Sequence, residues 1–156
     1  MSIARSSYVR VLLFAAALLA ASGAIAQTRW TFSADGTEVT DNQTGLRWRR
    51  CSEGQTYSAG NCLGNAGAFT YEAALAHARA QTGWRLPNVK ELSSIVDTDR
   101  QQPSIDLAVF PATPAYSYWS SSPYAGNADY AWGVNFYYGF VDPGRRNDST
   151  AVRLVR

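Results

Sequence analysis

The stretch Gly-Trp-Arg-Leu-Pro-Asn-Val-Lys-Glu-Leu, residues 83–92, carries the signals that decide the fold of this chain. Gly83 lies where the end of a helix favours a positive φ, and Asn88 is a candidate N-cap with Glu91 three residues later, the spacing of a capping box. Arg85 is placed to pair with Glu91 or to cap carbonyl groups, because a planar guanidinium with five donors suits that task. The stretch therefore predicts an architectural joint between two helices.

Hydrophobic spacing predicts one helix on each side of this joint. The first spans residues 70–81, with Thr70 as its N-cap, and the second begins at Asn88 and continues to Asp97. His77, the single histidine of the chain, falls off the apolar stripe of the first helix, so we expect it at the surface without a functional role. The residues of that stripe recur at i, i+3, i+4 and i+7, and they are Tyr71, Ala74, Leu75 and Ala78.

Short strands are predicted on both sides of the helical region. Before it, strands at residues 37–41 and 46–49 form a hairpin, and the Gly-rich, Ser-rich and Asn-rich residues 51–68 form a loop. After it, alternation predicts strands at residues 116–121 and 130–138, a loop at Pro143-Gly144 and a last strand at 151–156. Two helices followed by an antiparallel meander indicate an α+β domain with a small twisted antiparallel sheet.

The first 26 residues have the three parts of a secretory signal peptide. Arg5 and Arg10 form the basic start, residues 11–21 are apolar, and Ala24-Ile25-Ala26 is a small-x-small cleavage site. A membrane anchor is the alternative, but the apolar run is short against the ~20 residues that a spanning helix needs. We therefore expect an exported protein, periplasmic or secreted, whose mature part, residues 27–156, is one domain that does not span the membrane.

Charge and cysteine content narrow the function classes. The whole chain has a net charge of +2, and removal of the signal peptide leaves twelve basic and twelve acidic residues, which argues against a nucleic-acid binder. The only two cysteines, Cys51 and Cys62, are expected to form a disulfide in an exported chain. A zinc site usually needs four Cys or His ligands, more than the two cysteines and single histidine supply.

Catalytic signatures are weak, so we expect no enzymatic activity and no cofactor. A hydrolytic triad needs a histidine placed between a carboxylate and a nucleophile, and His77 has no such signature near it. Asp97, Asp99 and Asp106 cluster in sequence, and solvated loop acids explain them better than paired-carboxylate chemistry. Calcium is a more plausible use of such acids, although no calcium-binding motif accompanies them.

Aromatic and polar residues supply the candidates for ligand binding. The tryptophans are assigned to the core rather than to a sugar-stacking platform, because large aromatic side chains usually bury their area in packing; they are Trp48, Trp84, Trp119 and Trp132. The late loops combine tyrosines with polar residues, a composition typical of a rigid amphipathic binding surface. Arg145 and Arg146 suit the binding of sulfate or carboxylate groups. An ordinary solvated loop is an equal alternative for these residues. These candidates are Tyr116, Tyr124, Asn127, Asp129, Tyr137, Arg145, Arg146, Asn147 and Asp148.

Several ordered motifs together carry a family resemblance. They are Asp41-x-x-Thr44-Gly45-Leu46-x-Trp48, the Cys51 and Cys62 pair, Tyr71-x-x-Ala74, Gly83-x-Arg85-Leu86-Pro87-Asn88-x-x-Glu91-Leu92, Tyr118-Trp119-Ser120-Ser121 and Val152-Arg153-Leu154-Val155-Arg156. From about residue 37 to 156, the chain resembles the Lcl C-terminal domain family, long catalogued as a domain of unknown function.

The resemblance implies a C-type-lectin-like fold related to formylglycine-generating enzymes. In such a fold the first and last strands pair, which here implies that residues 37–41 meet residues 151–155. Family members are exported bacterial proteins, and the namesake is associated with adhesion to sulfated polysaccharide. The collagen-like stalk of the namesake is absent, so its trimeric display is not carried over. The formylglycine-generating relatives work through cysteines late in the fold, whereas both cysteines here precede the first helix.

Three hypotheses follow from the sequence. The leading one is a non-catalytic exported binding module that recognises a polysaccharide or a protein partner at the bacterial envelope. The second is a structural subunit of an envelope or pilus-associated assembly. The third is an enzyme on a scaffold like that of the formylglycine-generating enzymes.

Overall fold

The structure, a computed structural model, describes residues 28–156, so the predicted signal peptide lies outside the described residues. The elements in chain order are β1 (Trp30–Phe32), β2 (Glu38–Asp41), β3 (Arg47–Arg49), β4 (Thr56–Ser58), β5 (Asn61–Leu63), α1 (Tyr71–Arg79), α2 (Val89–Ser93), β6 (Ser117–Pro123), β7 (Tyr130–Asn135) and β8 (Phe140–Arg145). The α+β class is confirmed. The strands form three antiparallel sheets, β1-β2-β3, β4-β5 and β6-β7-β8, rather than one. Neither of the described helices is long and apolar enough to cross a membrane.

The joint between the helices has the predicted capping pattern. Gly83 has a φ of +76°, and the Asn88 side chain accepts from the Glu91 N–H at 2.9 Å while the Glu91 carboxylate accepts from the Asn88 N–H at 2.8 Å. Both helices are shorter than predicted. At the C-terminal end of α2, the hydroxyls of Ser93 and Ser94 donate to carbonyls one turn back, at 3.0 and 2.7 Å, in competition with the helical hydrogen bonds.

Arg85 ties this joint to the C-terminal segment of the chain. Its guanidinium forms a bidentate ion pair with the Glu91 carboxylate, in which both N–O distances are 2.7 Å. Its backbone N–H and C=O bond to Val155 at 2.9 and 3.0 Å. The joint therefore holds together elements that are about seventy residues apart in the sequence.

The C-terminal segment is not the continuous strand that was predicted. It makes isolated bridges, from Ala151 to Tyr118 and from Val155 to both Trp48 and Arg85. Pairing of residues 37–41 with 151–155 is also wrong, because β2 already has β1 on one edge and β3 on the other. The segment instead reaches the N-terminal sheet through β3, with backbone bonds of 2.9 to 3.1 Å.

The region predicted as one loop at residues 51–68 contains the β4-β5 hairpin. Ala59 and Gly60 both have positive φ, 48° and 88°, which is the geometry of a tight hairpin turn with the twist that strands prefer. Ala-Gly is not among the dipeptides typical of such a turn, so the sequence does not predict this hairpin. The predicted disulfide between Cys51 and Cys62 is present and joins β5 to the chain before the hairpin.

The C-terminal sheet differs from the prediction at two places. β7 ends at Asn135 instead of Tyr138, because the Asn135 side chain accepts from the Tyr137 N–H at 2.8 Å and Gly139 turns the chain at a φ of +80°. β8 continues through Pro143-Gly144, which was predicted to be a loop. An edge strand tolerates proline, since the missing N–H faces away from the ladder.

Two apolar clusters form the core. Trp48 is fully buried in the cluster between α2 and the sheets, and Trp119 is buried in a second cluster against α1. Trp84, predicted to be a core residue, is only half-buried against the second cluster, and the guanidinium groups of Arg49 and Arg156 lie 4.9 and 4.6 Å from the centroid of its ring. Half-buried Trp132 packs edge-on against Tyr124, with 5.0 Å between ring centroids.

A fully buried arginine, Arg153, connects the N-terminal and C-terminal parts. Its guanidinium donates to the carbonyls of Arg49 (2.8 Å) and Arg50 and to the hydroxyls of Ser52 (3.3 Å) and Thr113 (2.7 Å). Burial lowers the pKa of Arg153 and raises the pKa of Tyr118, whose hydroxyl lies 2.6 Å from that of Ser52. From the sequence, Arg153 was predicted only to be part of the last strand.

Candidate functional site

Six of the nine candidate ligand-binding residues line one cleft of about 650 Å³, here called the polar cleft. These six are Asn127, Asp129, Arg145, Arg146, Asn147 and Asp148, and the lining is completed by Glu72, Ala128 and Tyr130. The other three candidates lie elsewhere. The structure therefore brings all six non-tyrosine candidates together, and the three tyrosines do not line this cleft.

The ends of β7 and β8 position the polar cleft. Tyr130 is the register partner of Arg145, so the turn before β7 and the segment after β8 emerge side by side. The Arg146 N–H donates to the Asp129 carbonyl at 2.8 Å, and the Asp148 N–H donates to the Arg145 carbonyl at 2.8 Å. These backbone bonds hold two short loops that contribute side chains from opposite walls.

The two arginines have different roles in the cleft. Arg146 is anchored, because its guanidinium lies over the Tyr71 ring, contacts the Glu72 carboxylate at 3.4 Å and donates to the Tyr130 carbonyl at 3.3 Å. Burial raises the pKa of Tyr71 beneath it. Arg145 donates only through Nε, to the Tyr130 hydroxyl at 3.1 Å, and its two terminal nitrogens make no hydrogen bond within residues 28–156. Arg145 therefore has donors free for a ligand.

Two carboxylates in the cleft are also free. Neither Asp129 nor Asp148 has a side-chain hydrogen bond or an ion pair with any residue in the described part of the chain. Together with Glu72, these acids outnumber Arg145 and Arg146 by one, so the lining has a small negative balance. The cleft thus presents unpaired donors and unpaired acceptors to the same space.

A second cavity of about 300 Å³ continues from the polar cleft and shares Tyr130, Arg145 and Asp148 with it. Asp142 and the glycines at positions 133 and 144 also line it. A Cβ at Gly133 would lie 2.7 Å from the Tyr118 carbonyl oxygen, so the close strand approach there requires glycine. The two cavities form one path along β8.

The three candidate tyrosines outside the cleft pack against other aromatic rings. Tyr116 is 43% exposed and stacks on Tyr118 at 6.2 Å between centroids, and Tyr124 packs on Trp132. Tyr137 contacts Tyr138 at 4.5 Å, at the hairpin turn between β7 and β8. That turn is at the far end of β8 from the polar cleft.

Sequence reasoning missed Glu72 and Tyr130 as cleft residues. Glu72 was interpreted as a favourable charge in the first turn of α1, which it is, and Tyr130 as a strand residue. Neither has a local signal for the cleft, because its contribution depends on how α1 packs beside the C-terminal sheet. Only the tertiary arrangement places them next to Arg146.

His77 is not the free surface histidine that was predicted. Its side chain is 29% exposed, its Nε2 lies 2.6 Å from the carboxylate of buried Glu53, and its ring packs on Phe69. His77 is paired because the chain before α1 folds back and places Glu53 against the outer face of α1. The Glu53 carboxylate also pairs there with Arg49, at 2.9 Å. His77 does not line the polar cleft.

Two of the three acids of the sequence cluster lie against one arginine, Arg100. Arg100 pairs with Asp97 at 2.7 Å and approaches Asp106 at 3.7 Å, while the Asp99 N–H donates to the Asp97 carboxylate. Among residues 28–156, no group of three or more His, Cys, Asp or Glu side chains is arranged to hold a metal ion.

Comparison with known proteins places these features in a family context. The family model described as the Lcl C-terminal domain matches residues 37–156, a range that contains all residues of the polar cleft. No curated protein matches the sequence.

Proposed function

The chain belongs to the Lcl C-terminal domain family, and from this premise we propose that it is an exported, non-catalytic binding module. Its ligand would be a polysaccharide or a protein partner at the bacterial envelope, bound in the polar cleft. We further propose that its fold is C-type-lectin-like and related to that of formylglycine-generating enzymes. The small antiparallel sheets beside two helices support this fold proposal, as does the return of the C-terminal segment to the N-terminal sheet, although it pairs there with β3 and not with the expected strand at residues 37–41.

The observation that carries the binding proposal is the set of unpaired polar groups in the cleft. The carboxylates of Asp129 and Asp148 and the terminal nitrogens of Arg145 converge there without partners in the described part of the chain. A few convergent polar groups in a concave site are what orient a ligand. Backbone hydrogen bonds hold the backbone of the two loops in place before a ligand arrives, which lowers the part of the entropic cost of binding that comes from ordering the loops.

The non-catalytic part of the proposal rests on where the titratable groups lie. His77 is engaged with Glu53 and Phe69 outside the cleft, so it is not available as a general base to a ligand there. The cysteines are joined in a disulfide, which removes them as thiolate nucleophiles.

The experiment compares wild type with the double variant Asp129→Asn and Asp148→Asn, which changes charge but not shape. Binding is measured by glycan-array screening and by pull-down from envelope fractions, and we expect the double variant to lose about tenfold or more in affinity, because charge-assisted hydrogen bonds become neutral ones. Asp99→Asn, at an exposed aspartate outside the cleft, is the matched control and should bind normally. Repeated failure of wild type to bind any polysaccharide or protein would refute the proposal.

A second candidate function, a structural subunit of an envelope or pilus-associated assembly, is favoured by an exposed apolar patch. Tyr138, Phe140 and Val141 are 60%, 47% and 43% exposed around the β7-β8 turn. Exposed apolar surface of this kind often contacts another protein. Co-purification with an envelope complex at fixed stoichiometry, lost in Val141→Asp but retained in the cleft double variant, would favour this function over ligand binding in the cleft.

A further inference from the structure

We propose that the ligand is an extended, mainly uncharged saccharide chain that lies along β8, from the polar cleft to the exposed rings of Tyr138 and Phe140. The inference rests on the proposed binding function and specifies the class and the length of the ligand.

The charges of the path disfavour a polyanion. Glu72, Asp129 and Asp148 outnumber the two cleft arginines, and Asp142 adds another acid in the second cavity. Arg146 is engaged by Glu72 through Nη1 and by the Tyr130 carbonyl through Nε, so it keeps one terminal nitrogen without a partner among residues 28–156, whereas Arg145 keeps two. A sulfated or carboxylated chain would therefore meet more negative than positive charge, which is electrostatically unfavourable.

Hydroxyl groups match what the cleft offers. A hydroxyl both donates and accepts, so the hydroxyls of one sugar donate to a carboxylate and accept from a guanidinium or an amide. Asp129 and Asp148 are the acceptors, and Arg145 is the donor. A neutral sugar satisfies all three groups without burying an uncompensated ionic group of its own.

Beyond the cleft, the path passes the end of β8 at Arg145 and continues on the strand face opposite to that of Arg145. Side chains alternate across a strand, so Phe140, Asp142 and Gly144 share one face. Asp142, Gly144 and the Trp119 ring line the second cavity, and a Cβ at Gly144 would lie 3.0 Å from that ring, so glycine keeps the space open there. The shared lining at Arg145 makes the two cavities continuous, and Phe140 lies at the other end of the same strand.

The far end of the path carries two stacked aromatic rings. The rings of Tyr138 and Phe140 are inclined by only 10°, with centroids 5.8 Å apart, and both side chains are exposed. Sugar rings have faces of C–H bonds that pack on aromatic rings, and aromatic side chains combine large contact area with low conformational freedom. An aromatic pair at this place provides a second subsite.

The distance between the two ends sets the length of the ligand. Five residue steps separate Phe140 from Arg145, which corresponds to about 17 Å at ~3.3 Å per residue. A single sugar contacts one end only, whereas a chain of several sugars contacts both.

The test uses calorimetric titration with cello-, malto- and N-acetylchito-oligosaccharides, each as disaccharide, hexasaccharide and sulfated hexasaccharide. We expect at least one neutral hexasaccharide to bind about tenfold or more tighter than its disaccharide, with an affinity nearly independent of salt because no ion pairs are formed with the ligand. Phe140→Ala should weaken hexasaccharide binding by about five- to tenfold and leave disaccharide binding in the cleft unchanged. Phe32→Ala, at a phenylalanine of similar exposure on β1, is the matched control, and thermal unfolding verifies that both variants are folded.

Each contrary result has a distinct meaning. Tighter binding of the sulfated hexasaccharide, weakening with salt, overturns the inference while the proposed function stands. If the hexasaccharide binds with no higher affinity than the disaccharide, or if Phe140→Ala leaves its affinity unchanged, the extended path is overturned. Absence of binding to every saccharide overturns the inference together with the polysaccharide form of the proposed function, and leaves a protein ligand for the pull-down experiment to identify.

Discussion

Replacing Arg153 with methionine should lower the free energy of unfolding by about 3 kcal/mol, because it leaves buried hydrogen-bond acceptors without their donor. The guanidinium is fully buried and donates to two carbonyls and two hydroxyls. Methionine has a similar length and fills much of the same space, so the change isolates the loss of the donors from the loss of packing.

The magnitude follows from which acceptors keep other partners. The Ser52 hydroxyl keeps the Tyr118 hydroxyl at 2.6 Å, and the Thr113 hydroxyl still donates to the Phe110 carbonyl at 2.7 Å. The cost therefore falls on the carbonyls of Arg49 and Arg50, at about 1–3 kcal/mol each. Release of a desolvated cation offsets part of that sum, since burial disfavours the charged form. About 3 kcal/mol remains, a shift in Tm on the order of 10 °C for a chain of this size.

Urea unfolding followed by tryptophan fluorescence measures the change, with Arg79→Met as the matched control. Arg79 is exposed on α1, and its replacement should alter the free energy of unfolding by no more than about 0.5 kcal/mol. An Arg153→Met variant as stable as wild type, or more stable, would show that the desolvation of the guanidinium outweighs its hydrogen bonds and would refute the reasoning.

Further predictions concern the helix joint and the disulfide. Trp84→Ala should lower the free energy of unfolding by about 2–3 kcal/mol through lost packing, and Arg85→Ala by about 1 kcal/mol through the loss of an exposed pair; lost ligand binding at unchanged stability would contradict this structural assignment. The hydrogen bonds from Arg85 hold the pKa of Glu91 below its usual range. The contribution of the Glu91 carboxylate to stability is therefore complete above its pKa in the unfolded state and is lost as pH falls through its pKa in the folded state. The free energy of unfolding, measured at neutral and acidic pH, should therefore fall less on acidification in Glu91→Gln than in wild type. An equal fall in both proteins would contradict this prediction. Replacing Cys51 and Cys62 with serine should cost about 2–3 kcal/mol by loop entropy, and an unchanged urea midpoint would argue against that contribution.

The parts of the fold that were predicted correctly rest on local signals. The capping box at Asn88 and Glu91 depends on residues three positions apart, and the apolar stripe of α1 depends on neighbouring turns of one helix. The wrong predictions depend on partners distant in sequence. Pro143 was interpreted as a loop residue because its tolerance in β8 requires knowing that β8 is an edge strand.

The candidate site shows the same division. The polar residues of the late loops were predicted as ligand contacts, and Asn127, Asp129 and residues 145–148 do line one cleft. The separation of Tyr116, Tyr124 and Tyr137 from it follows from aromatic packing that no local pattern reveals. Likewise, His77 was expected to be free because nothing in the sequence shows that Glu53 folds back on it.

By itself, the sequence determined the α+β class, the family, the disulfide and the joint at residues 83–92, because each depends on residue types in a fixed order or at short spacing. Tertiary structure alone decided that β2 has no free edge for the C-terminal segment, that Arg153 is buried among carbonyls, and that Glu72 and Tyr130 complete the polar cleft. The physical reason is that strand pairing, desolvation and a shared cavity depend on groups from distant parts of the chain. Short sequence patterns do not show which distant groups will come into contact.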